Sequence, residues 1–444
     1  MSIASEITRL QTAKANIKNA INTKGGSLTT ETISSYATAI NNLPSGDLTI
    51  EGQQIITGIL TGTVDEFDTV YSKIIGGGSN WDTVHNKLSI AAEDLPTGVG
   101  RGVSFSGDGT YLAVAHDTSP RLTVYKRSGD TFDKLSNPTD LPTGGGIGVA
   151  FSSDGTYLAV AHWTTPFLTV YKRSRDTFTK LSIAAEDLPT GVGRGVSFSG
   201  DGTYLAVAHD TTPFLTVYKR SVDTFTKITV PAPASAGYSV SFSSDGTYLA
   251  VGLSYSPFLT VYKRSGDTFA KLSNPTVLPT GDGNGVSFSS DGTYLAVAHS
   301  TSPRLTIYSR SGDTFTKLSN ITAPAGDGRS VSFSSDDTYL AVGHSTTPFL
   351  TIYSRSGDTF TELSNPTDLP AGTGWGVSFS SDDTYLAVAH STTPYLTVYK
   401  TTLINPTTLI SPALNTIPSG YHDLGYALES GEQNEEIEMV SIFR

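Results

Sequence analysis

The chain has 444 residues, 37% of them hydrophobic, with a formal net charge of −12 and a pI near 5.1. An acidic balance of this kind does not suit a phosphate-backbone binder, which needs a basic stripe, so nucleic acid is not an expected partner. No apolar run approaches the roughly eighteen residues of a membrane span, so no membrane insertion is expected, and with Cys 0 there can be no disulfide, thiolate chemistry or cysteine-ligated metal.

The first residues, Met1-Ser2-Ile3-Ala4-Ser5-Glu6, lack the charged-then-apolar layout of a secretory signal. Residues 5–24 read as an amphipathic helix, with Ile7, Leu10, Ile17 and Ile21 on one face and Lys14, Lys18 and Asn19 on the other. A second helix is expected from Glu31 to Asn42, ended by Pro44. Too short to stand alone in water, the two define a helical attachment module over residues 1–45. Residues 46–79 form a linker with strand-like runs at Leu48-Thr49-Ile50 and Ile55 to Leu60, closing on the flexible Gly76-Gly77-Gly78-Ser79.

From about residue 100 to 400 one phrase recurs seven times: G-V-S-F-S-S-D-G-T-Y-L-A-V-A-H, then L-T-V-Y-K-R, then D-T-F-T-K-L. Its phenylalanine stands at 105, 151, 198, 242, 288, 333 and 379, giving intervals of 46, 47, 44, 46, 45 and 46 residues. That is the period of a four-stranded propeller blade, so the fold class is mainly β, a seven-bladed β-propeller over residues 80–400. The last repeat stops after Tyr399-Lys400 without a fourth strand. Residues 82–89, Asp-Thr-Val-His-Asn-Lys-Leu-Ser, resemble the fourth-strand phrase Asp176 to Ser182 and are expected to close the last blade, removing two open edges. The Asp-Gly pairs between the first and second strands (Asp108-Gly109, Asp154-Gly155) predict tight primed hairpins, weakened where Asp337 and Asp383 replace the glycine. Residues 401–444 read as a C-terminal β module ending in the run Glu436 to Phe443.

Positions where the repeats disagree are candidates for recognition. Before the first strand of each blade stand Arg101, Ile147, Arg194, Tyr238, Asn284, Arg329 and Trp375. The residue after the histidine that ends the second strand is Asp117, Trp163, Asp210, Ser254, Ser300, Ser345 or Ser391. Alternating strand direction puts all of these on one face, whereas the turns of the other face are nearly uniform. The expected ligand-binding set is Arg101, Ile147, Trp163, Arg194, Tyr238, Asn284, Arg329 and Trp375, rich in the arginine and aromatic types that dominate recognition surfaces. Drift of exposed loops is the competing explanation. Six blades end their second strand in His116, His162, His209, His299, His344 and His390, with Leu253 in the remaining one. A repeated local hydrogen bond explains that set better than a metal, whose ligands must converge to about 2 Å. No catalytic residue, metal or cofactor is expected. The three arginines have no evident paired acid.

The phrase F-S-S-D-G-T-Y-L-A-V-A resembles the WD40 and YVTN-type propellers, although Val-Tyr-Lys-Arg replaces the closing Trp-Asp of WD40 blades. The N-terminal pattern Ile7-Thr8-Arg9-Leu10, Ala13-Lys14, Ile17, Ala20-Ile21, Lys24-Gly25, then Ala39-Ile40 and Leu43, resembles segments of tail and fibre proteins of phages that infect Gram-positive bacteria. The resemblance implies a virion structural protein, made in the host cytoplasm, attached to other virion proteins through residues 1–45 and 401–444 and present in several copies. Its variable face would meet a host-surface polysaccharide or protein, a glycan or teichoic-acid-like polymer suiting the aromatic and guanidinium groups. A capsid or tail decoration protein is the alternative, and a propeller hydrolase the third.

Overall fold

The computed structural model describes residues 48–50, 53–55 and 84–402. The helices expected over residues 5–24 and 31–42 and the β module expected over 401–444 lie outside the described residues, apart from 401–402. Leu48–Ile50 pairs antiparallel with Gln53–Ile55, so the second strand of this small hairpin falls earlier than the expected run from Ile55.

Seven four-stranded antiparallel sheets make up the unit Thr83–Thr402. Blade 1 sets the pattern: strand A is Gly100–Phe105, B is Tyr111–His116, C is Leu122–Ser128 and D is Thr131–Lys134. The other A strands begin at Gly146, Gly193, Gly237, Gly283, Gly328 and Gly374. In blade 7 the sheet runs Gly374–Phe379, Tyr385–His390, Leu396–Thr402 and then Val84–Lys87, with Val84 opposite Thr402 and Lys87 opposite Tyr399. The closing strand comes from the N-terminal side of the array.

Strand B is buried along its whole length in six blades, and from Leu340 on in blade 6, because each sheet packs between two others. The core is therefore seven separate layers, one per seam. In the seam between blades 7 and 1, Val103, Phe105, Leu112, Val114, Tyr125 and Phe132 meet Tyr385, Ala387, Ala389, Leu396 and Val398. Phe132 packs edge-on against Tyr385 at 5.6 Å and 84°, a geometry that aromatic quadrupoles favour.

The strand A serines link neighbouring blades. Ser104 Oγ accepts from the Phe151 amide at 3.2 Å, Ser197 Oγ from Phe242 at 3.1 Å, and Ser378 Oγ from Phe105 at 3.3 Å, tying one inner strand to the next.

The A–B hairpins differ from the primed turns expected. Only Gly109 has positive φ (66°), not Asp108, and its amide donates to Ser106 O at 2.8 Å. A type I′ turn needs two left-handed central residues. Here the loop is a longer, type-I-like turn followed by one left-handed residue. Asp108 accepts from Ser106 Oγ at 2.6 Å and from the Thr110 amide at 3.0 Å, which is why aspartate recurs. Asp337 (φ 60°) and Asp383 (φ 55°) keep the left-handed position without glycine. Asp337 accepts from the Ser290 and Asp291 amides at 2.6 and 2.9 Å, and Asp383 from Ser335 and Asp336 at the same distances, so each carboxylate clips its blade to the preceding one.

Candidate binding site at the mouth of the ring

Gly100 pairs with His116 and Ser128 with Thr131, so the D–A and B–C loops share one end of the ring and the A–B and C–D turns the other. The uniform end is uniform for a structural reason. Arg173 of blade 2 donates from Nε to Gly155 O at 2.6 Å and lies 4.6 Å over the Tyr111 ring of blade 1. Tyr111 in turn donates to Asp176 of blade 2 at 2.7 Å, joined there by Lys126 Nζ at 2.9 Å. The same arginine–tyrosine stack recurs as Arg127 on Tyr385, Arg220 on Tyr157, Arg264 on Tyr204, Arg310 on Tyr248 and Arg355 on Tyr294. The repeated R-S-G-D-T turns are seam fasteners.

At the variable end, the register of every A–B pair shifts across one residue: Gly100/Gly102 in blade 1, Gly146/Gly148, Gly193/Gly195, Gly237/Ser239, Gly283/Gly285, Gly328/Ser330 and Gly374/Gly376. The residue left over is Arg101, Ile147, Arg194, Tyr238, Asn284, Arg329 or Trp375. These positions, expected just before strand A, lie inside it as the extra residue of a β-bulge. A bulge frees one residue from the ladder and re-aims its side chain. All seven are half-buried.

Four of the predicted residues form one stack. The Arg329 guanidinium lies 4.9 Å from the Trp375 ring, Arg101 lies 4.8 Å from that ring, and Arg101 also lies 5.5 Å from Trp163. Trp375 thus has a cation over it from blade 6 and another from blade 1, which leaves its ring poorly placed to stack on a sugar. Trp163, 40% exposed, is the more open indole. Arg194 sits 5.5 Å over Tyr238. Each contact of this type contributes about 0.5–2 kcal/mol and fixes the plane of a guanidinium in advance. Asn284 is committed elsewhere, donating from Nδ2 to Gly328 O of the next blade at 2.8 Å.

The arginines do have acidic neighbours, contrary to the sequence reading. Asp117 lies 3.9 Å from Arg101, Asp210 lies 3.5 Å from Arg194, and Asp327 lies 3.6 Å from Arg329 and 3.8 Å from Arg304. The acid comes from the B–C loop in blades 1 and 3 but from the D–A loop in blade 6, so no fixed spacing announces it. These pairs are long for charge-assisted hydrogen bonds. Burial lowers the Arg101 pKa, as does the like charge of Arg194, while Asp117 pulls it up.

The histidines do not converge. Each Nε2 stands 3.0 Å from a strand C threonine hydroxyl of its own blade, as in His116 with Thr123 and His209 with Thr216. No cluster of three or more potential metal ligands occurs among the described residues.

The fold is that of a seven-bladed β-propeller. No protein family matches the sequence and no curated protein is similar to it. Among solved structures it is similar to a chain of the Kuenenia stuttgartiensis hydrazine synthase, with 17% identity and a TM-score of 0.55 over 70% of this chain and 97% of that one. A chain of the mitotic checkpoint complex gives 14% identity and a TM-score of 0.55 over 72% and 92%. At such identities the likeness concerns the fold alone.

Proposed function

We propose that this is a bacteriophage virion structural protein that displays its propeller to the host cell, the bulge ring contacting a surface glycan or anionic polymer. The observation that carries the reading is the division of labour between the two ends. One end spends its charged and aromatic residues on blade-to-blade fasteners. At the other, seven equivalent bulges present seven side chains of five types, three of them arginines. The virion assignment rests on the N-terminal pattern of residues 7–43. Weak single sites gain strength when several copies share one particle.

The test is saturable binding of the labelled full chain to Gram-positive cells of a host, beside a variant with Arg101, Arg194, Arg329 and Trp375 changed to alanine. Binding lost in a folded variant supports the reading. An intact chain that binds purified particles but no host cell would instead mark a decoration protein.

A further inference from the structure

The bulge ring has a gap. Blades 1 and 3 carry the same segment, residues 88–118 and 181–211 being identical, so an identical arginine–aspartate unit stands on either side of blade 2. Blade 2 itself offers only Ile147 at the bulge, with no charge and no hydrogen-bonding group. The inner strands approach so closely here that a methyl on Gly102 would lie 2.7 Å from Ile147 O, and one on Gly148 would lie 2.7 Å from Arg194 O. Arg101, Ile147 and Arg194 are therefore consecutive around the mouth.

The arginine and tryptophan groups left over at the mouth have one character. Nε of Arg101, Arg194, Arg304 and Arg329 and Nε1 of Trp375 are buried without a hydrogen-bond partner. The other such groups at this end among the described residues are the Ser254 hydroxyl, away from the Arg101–Arg194 gap, and Nδ1 of the six histidines that end strand B, whose Nε2 atoms are held by threonine within their own blades. The unfilled arginine and tryptophan nitrogens are donors alone. A neutral sugar hydroxyl would bring donors as well as acceptors, whereas an oxyanion brings acceptors alone. The stacks on Trp375, Trp163 and Tyr238 hold two of the guanidinium planes, so less side-chain freedom is lost on binding.

The geometry points to an oxyanion seat between Arg101 and Arg194 above Ile147, taking the phosphodiester or carboxylate of an acidic glycopolymer, with Asp117 and Asp210 as built-in competitors for the same guanidinium groups. This inference rests on the surface-binding reading above and names its ligand chemistry.

The full chain would be titrated with poly(glycerol phosphate), with polygalacturonate and with neutral dextran, at about 50 and 200 mM salt. Affinity for at least one anionic polymer that falls with salt, and none for dextran, is expected; the two anionic arms separate a phosphate source from a carboxylate one. Arg101→Gln with Arg194→Gln should weaken binding at least tenfold. Asp117→Asn with Asp210→Asn should strengthen it several-fold, a gain that unfolding cannot produce. Dextran binding as tightly as the polyanions, or affinities unchanged in both double variants, overturns the seat. If cells still bind the chain under either result, the seat alone fails; if polyanions bind as expected but cells do not, the surface-binding reading fails and the seat stands.

Discussion

Acid should unfold this ring early and steeply. His116, His162, His209, His299, His344 and His390 are wholly buried, and His85 of the closing strand is 3% exposed. Burial lowers all seven from 6.5 to about 4. A depressed imidazole pKa means that the unfolded chain takes the proton first. Stability is thus complete above about pH 6.5 and is lost as the pH falls toward 4. At pH 5 one such group costs about 2 kcal/mol, and seven cost about 14, as much as the whole stability of a typical domain. Asp383 works in the other direction. Burial, and then Asp336, raise it to about 6, so its contribution is greatest at low pH and is lost as the pH rises through 6. Burial raises Asp337 and Glu362 in the same sense, and three opposing carboxyls trim a slope set by seven imidazoles without reversing it.

Denaturant midpoints followed by tryptophan and tyrosine fluorescence from about pH 7.5 to 4.5 measure this directly. His209→Leu copies the natural Leu253. It removes the bond to Thr216, so it should be roughly 1 kcal/mol less stable than the parent at pH 7.5. At pH 5 it should be about 1 kcal/mol more stable, the two curves crossing near pH 6. A midpoint that stays flat to pH 4.5, or a variant curve parallel to that of the parent, refutes the reasoning.

Other perturbations address the seams. Arg173→Ala removes the bond to Gly155 O and the stack on Tyr111, and should cost about 1–3 kcal/mol in chemical denaturation. Ser239 and Ser330 each lie between two glycines in the inner ring, so Gly285→Ser would place three side chains in succession; it should cost about 1–3 kcal/mol, more than Gly148→Ser, whose neighbours are Gly102 and Gly195. His85→Asp buries a carboxylate in the closing strand and should open blade 7, seen as new proteolytic cleavage in Leu396–Thr402.

The blades were legible because the phenylalanine period and the four strand phrases are imposed by a packing that every blade repeats. Val84–Lys87 was legible because a strand that completes a blade must look like the fourth strands it imitates. The bulges were not, since a bulge is a relation between two strands and leaves no fixed residue type: Arg101, Ile147 and Trp375 occupy the same geometry. The acids beside Arg101, Arg194 and Arg329 escaped for a related reason, arriving from different loops in different blades. The primed turn was misjudged because Asp-Gly suits both a two-residue hairpin and the end of a longer turn, and only φ at Asp108 tells them apart.

The same geometry explains how the mouth can vary at little cost to the ring. A bulge residue is outside the ladder, and the seams are held by apolar side chains of all four strands, by the strand A serines and by fasteners at the opposite end. Substitutions at the bulge should therefore register in stability only where the side chain itself bonds across a seam. Ile147→Thr should change stability by less than about 0.5 kcal/mol, whereas Asn284→Ala, which frees Gly328 O, should cost about 1 kcal/mol. Thermal and denaturant midpoints of the two variants side by side check this. A loss of 2 kcal/mol or more at Ile147 would mean that the mouth carries part of the fold, and its variation would then need an explanation other than freedom to bind.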